Sequence, residues 1–230
     1  MSDALMSRLV ASWDANADAW TDAVRGGAIA SRRLVTDAAV VAAVMQAADG
    51  RAAPRVLDVG CGEGWLARAL AERGCAVVGT DVSAALVAAA AAAGGGTFHA
   101  LGYDVLTTRL AGDADALGGR FDVAVCNFAL LGNAPGALLA ALRGAVVGGG
   151  ALVVQTLHPA AQDGPYAEGW REETFAAMGP GFAAPMPWYF RTVGGWVDVV
   201  LRAGWTLARI DEPVHPETHR PLSLLLTARA

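Results

Sequence analysis

The sequence predicts an α/β fold in which a mostly parallel sheet carries helices on both faces. Short apolar runs with strand character alternate with longer segments at helical spacing over residues 55–157. Glycine-rich turns separate the two kinds of segment. Strands that alternate with helices of this length are joined by right-handed crossovers and lie parallel. The 230 residues contain neither an internal repeat nor a long polar linker, so we expect one domain.

Ahead of the sheet, the chain predicts an N-terminal helical arm. Leu9 and Trp13 fall at helical spacing, and a second helical segment runs from Ser31 to about Ala48. We expect Ser31 to be the N-cap of that segment, because its hydroxyl can accept from free backbone N–H groups. Trp13 and Trp20 are interpreted either as packing anchors or as part of an arm that folds over a ligand.

The sheet begins with five strands, predicted over Arg55–Val59, Cys75–Thr80, Thr97–Leu101, Phe121–Cys126 and Ala151–Leu157. Helices are predicted between them over Gly64–Gly74, over Ser83–Ala93 with Ser83 as its N-cap, and over Ala134–Val147, closed by three glycines. The segment Leu106–Gly119 is expected to be irregular or partly helical.

Beyond the fifth strand the composition changes. The stretch from Ala160 to Phe190 is rich in proline, glycine and aromatic residues and has no clear period, which is typical of a functional lid or insertion. A helix over Thr192–Ala203 and two strands, Trp205–Asp211 and Leu222–Ala228, are predicted after it. Because no helix separates those two strands, the last of the seven is expected to lie antiparallel.

Composition and charge argue against several classes of protein. A formal charge of −5 is unlike that of a dedicated nucleic-acid binder. The longest apolar tract, Ala84–Ala93, is about half of a ~20-residue membrane span, and the N-terminus has no signal-peptide pattern. Three cysteines without a Cys-x-x-Cys pair predict reduced thiols, a cytoplasmic protein and no metal site. We expect a small-molecule partner, no nucleic acid, no membrane, and a monomer or homodimer.

Glycine or polar residues follow each predicted parallel strand. In strand order they are Gly60, Cys61 and Gly62, then Asp81, then Asp104, then Asn127, then His158. In an open α/β sheet the ligand lies beyond the carboxyl ends of the strands. We therefore expect these residues to face one site.

The stretch from Val56 to Leu70 indicates what that ligand is. A strand, a glycine turn and a helix present backbone N–H groups and the positive end of a helix. Asp81, about twenty residues further on, can accept from ribose hydroxyls, which suits both NAD and S-adenosylmethionine. The turn is Gly-x-Gly-x-Gly rather than Gly-x-Gly-x-x-Gly, and Asp58 precedes it. A carboxylate there repels a pyrophosphate but suits an ammonium group, which favours S-adenosylmethionine.

The motifs VLDVGCGEG, VVGTDVS, YDV, FDVAVCNFALL and GGALVVQTLHP, in this order, resemble those of class I S-adenosylmethionine-dependent methyltransferases of the small-molecule type. The resemblance covers residues 54–159, and the closing strands suit the same Rossmann-like seven-stranded sheet. It implies S-adenosylmethionine as the cofactor. It also implies four parts of one methyltransferase domain: a helical cap (1–50), a cofactor-binding core (51–159), an aromatic lid (160–191), and a C-terminal helix with the closing strands (192–230).

The resemblance also implies which residues contact the cofactor: Asp58, Gly60, Cys61, Gly62, Asp81, Val82, Tyr103, Asp104, Asn127, Phe128, Trp20 and Arg32. By this resemblance Asp81 contacts the ribose and Asp104 faces the adenine amino group. Asn127 and Phe128 flank the methionine part and the methyl group. Trp20 and Arg32 of the arm are candidates to close over the cofactor. The structural alternatives are a tight turn for the glycines, a helix cap for Asp81, a solvated loop position for Asp104 and turn packing for Asn127.

The methyl acceptor is expected to contact the aromatic insertion. Trp170, Trp188 and Tyr189 favour an apolar or planar acceptor, and Arg171 or Arg191 is available for an anionic group. Packing between the lid and the core is the alternative role for these side chains.

Histidines are the candidate general bases. His158 ends the fifth strand, near the position implied for the methyl group, and the unperturbed pKa of histidine suits a base near neutral pH. The alternative is that His158 only shapes the turn at Pro159. His215 and His219 lie in a loop that can reach the same mouth, or are solvated loop residues.

Three other functions remain open at this point. A tRNA-modifying alkyltransferase on the same fold is disfavoured by the lack of a basic tract. A regulatory protein that binds the cofactor without turnover has the same motifs. An NAD oxidoreductase needs phosphate-binding glycines at a spacing that this turn lacks.

Overall fold

The computed structural model describes residues 2–230 and is built around one seven-stranded sheet in the order β3-β2-β1-β4-β5-β9-β8. Its strands are β1 Arg55–Val59, β2 Ala76–Asp81, β3 Thr97–Ala100, β4 Phe121–Asn127, β5 Val146–Leu157, β8 Thr206–Asp211 and β9 Ser223–Arg229. Two further strands, β6 Gly169–Glu173 and β7 Met186–Phe190, form a separate antiparallel hairpin.

Eight α-helices accompany the strands in the described part of the chain. They are α1 Ser2–Ala15, α2 Ala17–Arg25, α3 Asp37–Ala47, α4 Trp65–Ala71, α5 Ala84–Ala93, α6 Tyr103–Gly112, α7 Gly136–Ala145 and α8 Val193–Arg202. A π-helical turn, Arg32–Thr36, leads into α3, and a short 3-10 helix, Pro159–Ala161, follows β5. None of the helices within residues 2–230 combines the length and the apolar character needed to cross a bilayer.

The predicted sheet is confirmed in its strand directions. β1 pairs in parallel with β2 and with β4, and β4 pairs in parallel with β5. β9 is antiparallel to both of its neighbours, β5 and β8. The strand order reverses between β1 and β4, so the carboxyl ends of these two strands flank the crevice where such folds bind ligands.

Two apolar layers hold helices on the two faces of the sheet. On one face Leu57 of β1 belongs to a cluster with Leu139 of α7 and Trp196 of α8. On the other face Val56 of β1 belongs to a cluster with Val44 of α3 and residues of α4. Adjacent strand residues point to opposite faces, so a strand covered on both sides is apolar at nearly every position. That is why Asp58, buried within this strand, requires a specific explanation.

Two predicted helix boundaries are wrong. Ser31 is not an N-cap: it has helical torsion angles, φ −58° and ψ −36°, and its side chain makes no capping hydrogen bond. The glycines Gly148–Gly150 do not close the preceding helix, because α7 ends at Ala145 and the glycines lie inside β5. The β4–β5 register shifts there, and Gly149 has φ +74°. These glycines therefore allow an irregularity in β5 and do not end the helix.

The segment predicted as a lid contains more regular structure than its sequence indicates. The β6–β7 hairpin packs against α1, where Leu9, Phe175 and Met186 form a small apolar cluster. Asn16, at the junction of α1 and α2, is fully buried, and its Oδ1 accepts from the Ala183 backbone N–H at 2.7 Å. Its Nδ2 donates to the Ala184 carbonyl, also at 2.7 Å. Arm and hairpin are therefore joined by both apolar packing and buried hydrogen bonds.

Candidate active site

A cavity of about 710 Å³ lies at the carboxyl ends of the central strands. Its floor is the glycine turn after β1 together with the residues that follow β2 and β4. Its cover comes from the N-terminal arm, including α1, and from the β6–β7 hairpin. Most of the residues predicted to contact the cofactor line it: Trp20, Arg32, Gly60, Cys61, Gly62, Asp81, Val82, Tyr103, Asp104, Asn127 and Phe128.

The glycine turn presents bare backbone to this cavity. The backbone N–H groups of Gly60 and Cys61 donate to the Thr80 carbonyl at 2.7 and 3.0 Å, which fixes the turn against the end of β2. Gly60 and Gly62 have φ values of +75° and +54°, a region that glycine adopts without strain. A Cβ on Gly60 would lie 2.5 Å from the Cβ of Ala129. The absence of a side chain thus lets the segment after β4 approach the turn.

Asp81 connects the glycine turn to the end of β2. Its Oδ2 accepts from the Gly62 N–H and its Oδ1 from the Ser83 N–H, both at 2.9 Å. Burial raises the pKa of Asp81, and its backbone hydrogen bonds act in the opposite direction. Each carboxylate oxygen can accept a further hydrogen bond, so the residue has the capacity to bind a diol. Ser83 is at the N-cap of α5 as predicted, but its hydroxyl makes no capping bond.

Asp58 lies behind the glycine turn rather than in the cavity wall. Its side chain is 1% exposed, and its Oδ2 has no hydrogen-bond partner. Burial, with a smaller effect from the nearby charge of Asp81, raises the pKa of Asp58 from 3.8 to about 7. A buried carboxylate with an unsatisfied oxygen is costly on its own, and a cationic group nearby relieves that cost. The donor and charge set around the turn therefore fits a ligand with a diol and a cation.

We expect Asp58 to make the ligand-free protein less stable as pH rises from about 4 to about 7. A carboxyl whose pKa is higher in the folded state binds its proton more tightly there. Its contribution to the free energy of unfolding is therefore complete below the pKa of the unfolded state, and it is lost as the pH rises through the pKa of the folded state. From 3.8 to about 7 the change in the free energy of unfolding is on the order of 4 kcal/mol. Urea unfolding across this pH range measures it, and Asp58→Asn is the matched control that lacks the titrating group. Identical pH dependence in both proteins would contradict the assignment.

A charged cluster that the sequence analysis missed supports the turn from the arm side. Glu63 is fully buried and pairs with Arg68 through Nη2 to both oxygens, at 2.8 and 2.9 Å. Its Oε2 also accepts from Arg25 Nε of α2 at 2.7 Å. In the sequence, Glu63 is visible only as a glutamate between two glycines of the turn. The arginines that neutralise it lie in α2 and α4. The cluster ties α2 to the cavity floor.

Both predicted arm residues reach the cavity. Trp20 packs edge-on against Trp13 with ring centroids 5.0 Å apart, and its Nε1 is 3.5 Å from the Cβ position of Gly62. Arg32 pairs with Asp37 at 2.9 Å and lies 4.5 Å from the centroid of the Trp65 ring. Arg32 is therefore held by protein groups, whereas the indole of Trp20 lies over the glycine turn.

The segment after β4 is held in an unusual conformation. Phe128 has φ +51°, which is uncommon for a residue with a side chain and is found at functional sites. Its N–H donates to the Gln155 carbonyl at 2.7 Å, and the Gln155 side-chain amide donates to Asn127 Oδ1 at 2.8 Å. Tyr103 donates to the Ala129 carbonyl at 2.8 Å. These bonds hold the segment against the cavity in one conformation.

Several sequence-predicted site residues do not line the cavity, among them Asp58, His158, His215 and Trp170. His158, the candidate base, is buried, and its Nδ1 accepts from the Ala160 N–H at 3.2 Å. Its Nε2 therefore carries the hydrogen and donates to Glu212 at 2.7 Å. His215 accepts backbone N–H bonds within its own loop, and Trp170 packs edge-on against Tyr189 on the hairpin. Both ring nitrogens of His158 are therefore used in hydrogen bonds within the protein, and these bonds hold the chain after β5.

The other predicted acceptor residues, Trp188, Tyr189 and Arg191, do line the cavity. Phe175, Phe190, Trp196 and three methionines lie beside them, so this part of the wall is aromatic and apolar. Arg191 is 5% exposed and donates through Nη2 to the Gly132 carbonyl at 2.9 Å. The cavity therefore has a polar half at the strand ends and an aromatic half at the hairpin.

Comparison with known proteins finds methyltransferases. The family model for the methyltransferase domain matches residues 32–188, which is more than half of the chain. The ubiquinone biosynthesis O-methyltransferase of Pseudomonas aeruginosa is 36% identical over 77 residues, which cover 34% of this chain and 32% of that protein. The match thus spans about a third of the length of the curated relative.

Solved structures share the fold over most of the chain. The Burkholderia thailandensis 1,6-didemethyltoxoflavin-N1-methyltransferase, crystallised with 1,6-didemethyltoxoflavin and S-adenosylhomocysteine, matches with a TM-score of 0.68 and 19% identity over 100% of this chain and 90% of that one. An S-adenosylmethionine-dependent methyltransferase from Mesorhizobium loti matches with a TM-score of 0.61 and 24% identity over 82% of this chain and 96% of that one. The match of the family model, together with the sheet and the glycine turn, shows that this chain belongs to the class I S-adenosylmethionine-dependent methyltransferases.

Proposed function

We propose that the protein transfers a methyl group from S-adenosylmethionine to a small, planar, largely apolar acceptor. One observation carries the proposal: a single cavity joins the polar carboxyl ends of the strands to an aromatic wall. The polar half suits a nucleoside with a charged amino acid part, and the aromatic half suits a ring. A protein that only bound the cofactor would not need the second half.

In this proposal the chain's residues bind and orient. Gly60 and Gly62 offer close backbone approach, Asp81 accepts from ribose hydroxyls, and Asp104 with Val82 borders the adenine. Asn127 and Phe128 border the methionine end, beside the aromatic wall. The bound cofactor supplies an electrophilic methyl group on a sulfonium. The protein then contributes alignment of the acceptor and exclusion of water, the main factors in such a displacement.

General-base catalysis is not part of the proposal. The described residues that line the cavity include no histidine. Among the cavity side chains, Tyr103 and Cys61 have their pKa values raised, chiefly by burial. Neither is ionised near neutral pH. The proposal therefore takes an acceptor that is already in its reactive protonation state, so that no histidine base is needed.

Ligand-induced stabilisation tests the cofactor assignment directly. We expect S-adenosylhomocysteine at about a hundred times its Kd to raise the melting temperature by roughly 5–10 °C, since that saturation contributes about 2.7 kcal/mol. NADH at the same concentration should give no shift. A shift with NADH and none with S-adenosylhomocysteine would overturn the proposal.

The acceptor class is tested by following labelled methyl groups. Incubation with methyl-labelled S-adenosylmethionine and either a small-molecule extract or bulk tRNA separates the two acceptor classes. We expect label only in the small-molecule fraction. Label in the tRNA would support the nucleic-acid alternative, and label in neither would support a regulatory protein.

A further inference from the structure

Arg191 is a buried cation with a free donor in the acceptor half of the cavity. It follows β7, is 5% exposed and lines the cavity. Its Nη2 donates to Gly132, but its Nη1 is buried without any hydrogen-bond partner. Buried polar atoms without a partner are rare in folded proteins, and an unsatisfied charged donor is the most costly kind.

Arg191 has no carboxylate in direct contact with its guanidinium among residues 2–230. The guanidinium lies 4.9 Å from the centroid of the Tyr189 ring and 5.0 Å from that of Trp196. Within residues 2–230 no carboxylate forms an ion pair with it, and the acid that acts on it electrostatically, Glu168, is exposed. Aromatic faces attract a cation but are only weak hydrogen-bond acceptors.

The other arginines near the site are already engaged. Arg32, the second cation of the cavity wall, is paired with Asp37 and stacked on Trp65. Arg171 donates to the carbonyls of Asp163 and Pro165 and does not line the cavity. Of the two arginines predicted as candidates for an anionic group, Arg191 lines the cavity and Arg171 does not.

We propose that the methyl acceptor carries an anionic oxygen conjugated with its planar ring, such as an aromatic carboxylate or an acidic phenol, and that this oxygen pairs with Arg191 Nη1. The inference rests on the proposed function, because it concerns the acceptor half of that cavity. An anionic acceptor also agrees with a cavity wall that has no histidine, since a group that is already ionised needs no base. Arg191 acts here as a binding and orienting residue, through a charge-assisted hydrogen bond.

A matched pair of probes tests this assignment without turnover. 2-Naphthoate and 2-naphthamide have nearly the same shape, and only the first is charged at neutral pH. Isothermal titration calorimetry is done with each probe, with and without S-adenosylhomocysteine. We expect the wild-type protein to bind naphthoate about 10- to 100-fold more tightly than naphthamide. Equal affinities, or no binding of naphthoate at millimolar concentration, would overturn the proposal.

Variants show whether Arg191 is the source of the preference. Arg191→Gln should bring the naphthoate-to-naphthamide affinity ratio close to one, with naphthamide affinity within about threefold of wild type. Arg191→Lys, which keeps the charge but not the planar fork, should retain part of the preference. Arg171→Gln is the control and should retain all of it. A preference that survives in Arg191→Gln assigns the anion to another group and overturns the inference.

The two proposals fail in different ways. If S-adenosylhomocysteine does not bind but naphthoate binds through Arg191, the cofactor assignment falls and the anion site remains. If S-adenosylhomocysteine binds normally and the wild type does not prefer naphthoate, only the anion site falls.

Discussion

Replacing Asp81 with asparagine is expected to lower the affinity for S-adenosylhomocysteine at least about 100-fold. Each hydrogen bond to a charged group contributes about 1.5–3 kcal/mol, and each 1.4 kcal/mol is a factor of ten. The variant loses the negative charge and one accepting oxygen, while the backbone N–H groups of Gly62 and Ser83 both depend on that carboxylate. Isothermal titration calorimetry measures the affinity.

The same substitution should not unfold the protein. Burial of the Asp81 carboxylate raises its pKa, so the charge is held at a cost when no ligand is present. One of the two N–H groups loses its acceptor, which costs about 1–3 kcal/mol, and relief of the buried charge offsets part of that cost. We therefore expect the variant to stay folded while binding is lost. Asp122→Asn is the control, because Asp122 pairs with Arg51 near the opposite end of the sheet and should leave the affinity unchanged. An Asp81→Asn affinity within about threefold of wild type would refute the role assigned to this residue.

The second large effect is expected from Gly60→Ala, which should lower the free energy of unfolding by about 2–5 kcal/mol. A side chain at φ +75° costs about 1–2 kcal/mol, and overpacking adds about 1–3 kcal/mol. The added Cβ would lie 2.5 Å from the Ala129 Cβ and 3.0 Å from the Tyr103 hydroxyl. Since Tyr103 bonds to the Ala129 carbonyl, the segment after β4 must shift, and affinity for S-adenosylhomocysteine should fall more than about tenfold.

A second glycine separates strain from crowding. Gly74 has φ +84°, and a Cβ there would have no atom within 4 Å. Gly74→Ala should therefore cost only the backbone strain, about 1–2 kcal/mol, with affinity unchanged. Urea unfolding of the two variants gives the difference. If Gly60→Ala is no less stable than Gly74→Ala and binds as well as wild type, the close approach at Gly60 has no functional importance.

The central strands of the sheet were predictable because each is a short apolar run, and burial on both faces of the sheet is the cause of that run. Phe121–Cys126 and Ala151–Leu157 are buried on both faces, and burial on both faces demands apolar residues at nearly every position. Boundaries depend on tertiary contacts and were less predictable. Ser31 has the residue type of an N-cap but lies inside a helix that continues through a π-helical turn.

The candidate site also has a part that was predictable from the sequence and a part that depends on tertiary contacts. Gly60, Gly62, Asp81 and Asn127 follow strands, and the topology of a parallel sheet places strand ends together. His158 also follows a strand, but a partner 54 positions later in the chain, Glu212, takes its Nε2. No local pattern reveals such a partner. For the same reason, the sequence did not show that Glu63 is neutralised by Arg25 and Arg68.

The sequence by itself determined the fold class, the cofactor motif and the residues at the strand ends, because these follow from periodicity and from spacing along a short stretch of chain. Only the tertiary structure decided which side chains share a cavity. It placed the hairpin against α1, directed Arg191 rather than Arg171 into the aromatic wall, and left Nη1 of Arg191 without a partner. Those outcomes depend on contacts between residues far apart in the chain, and such contacts have no periodicity in the sequence.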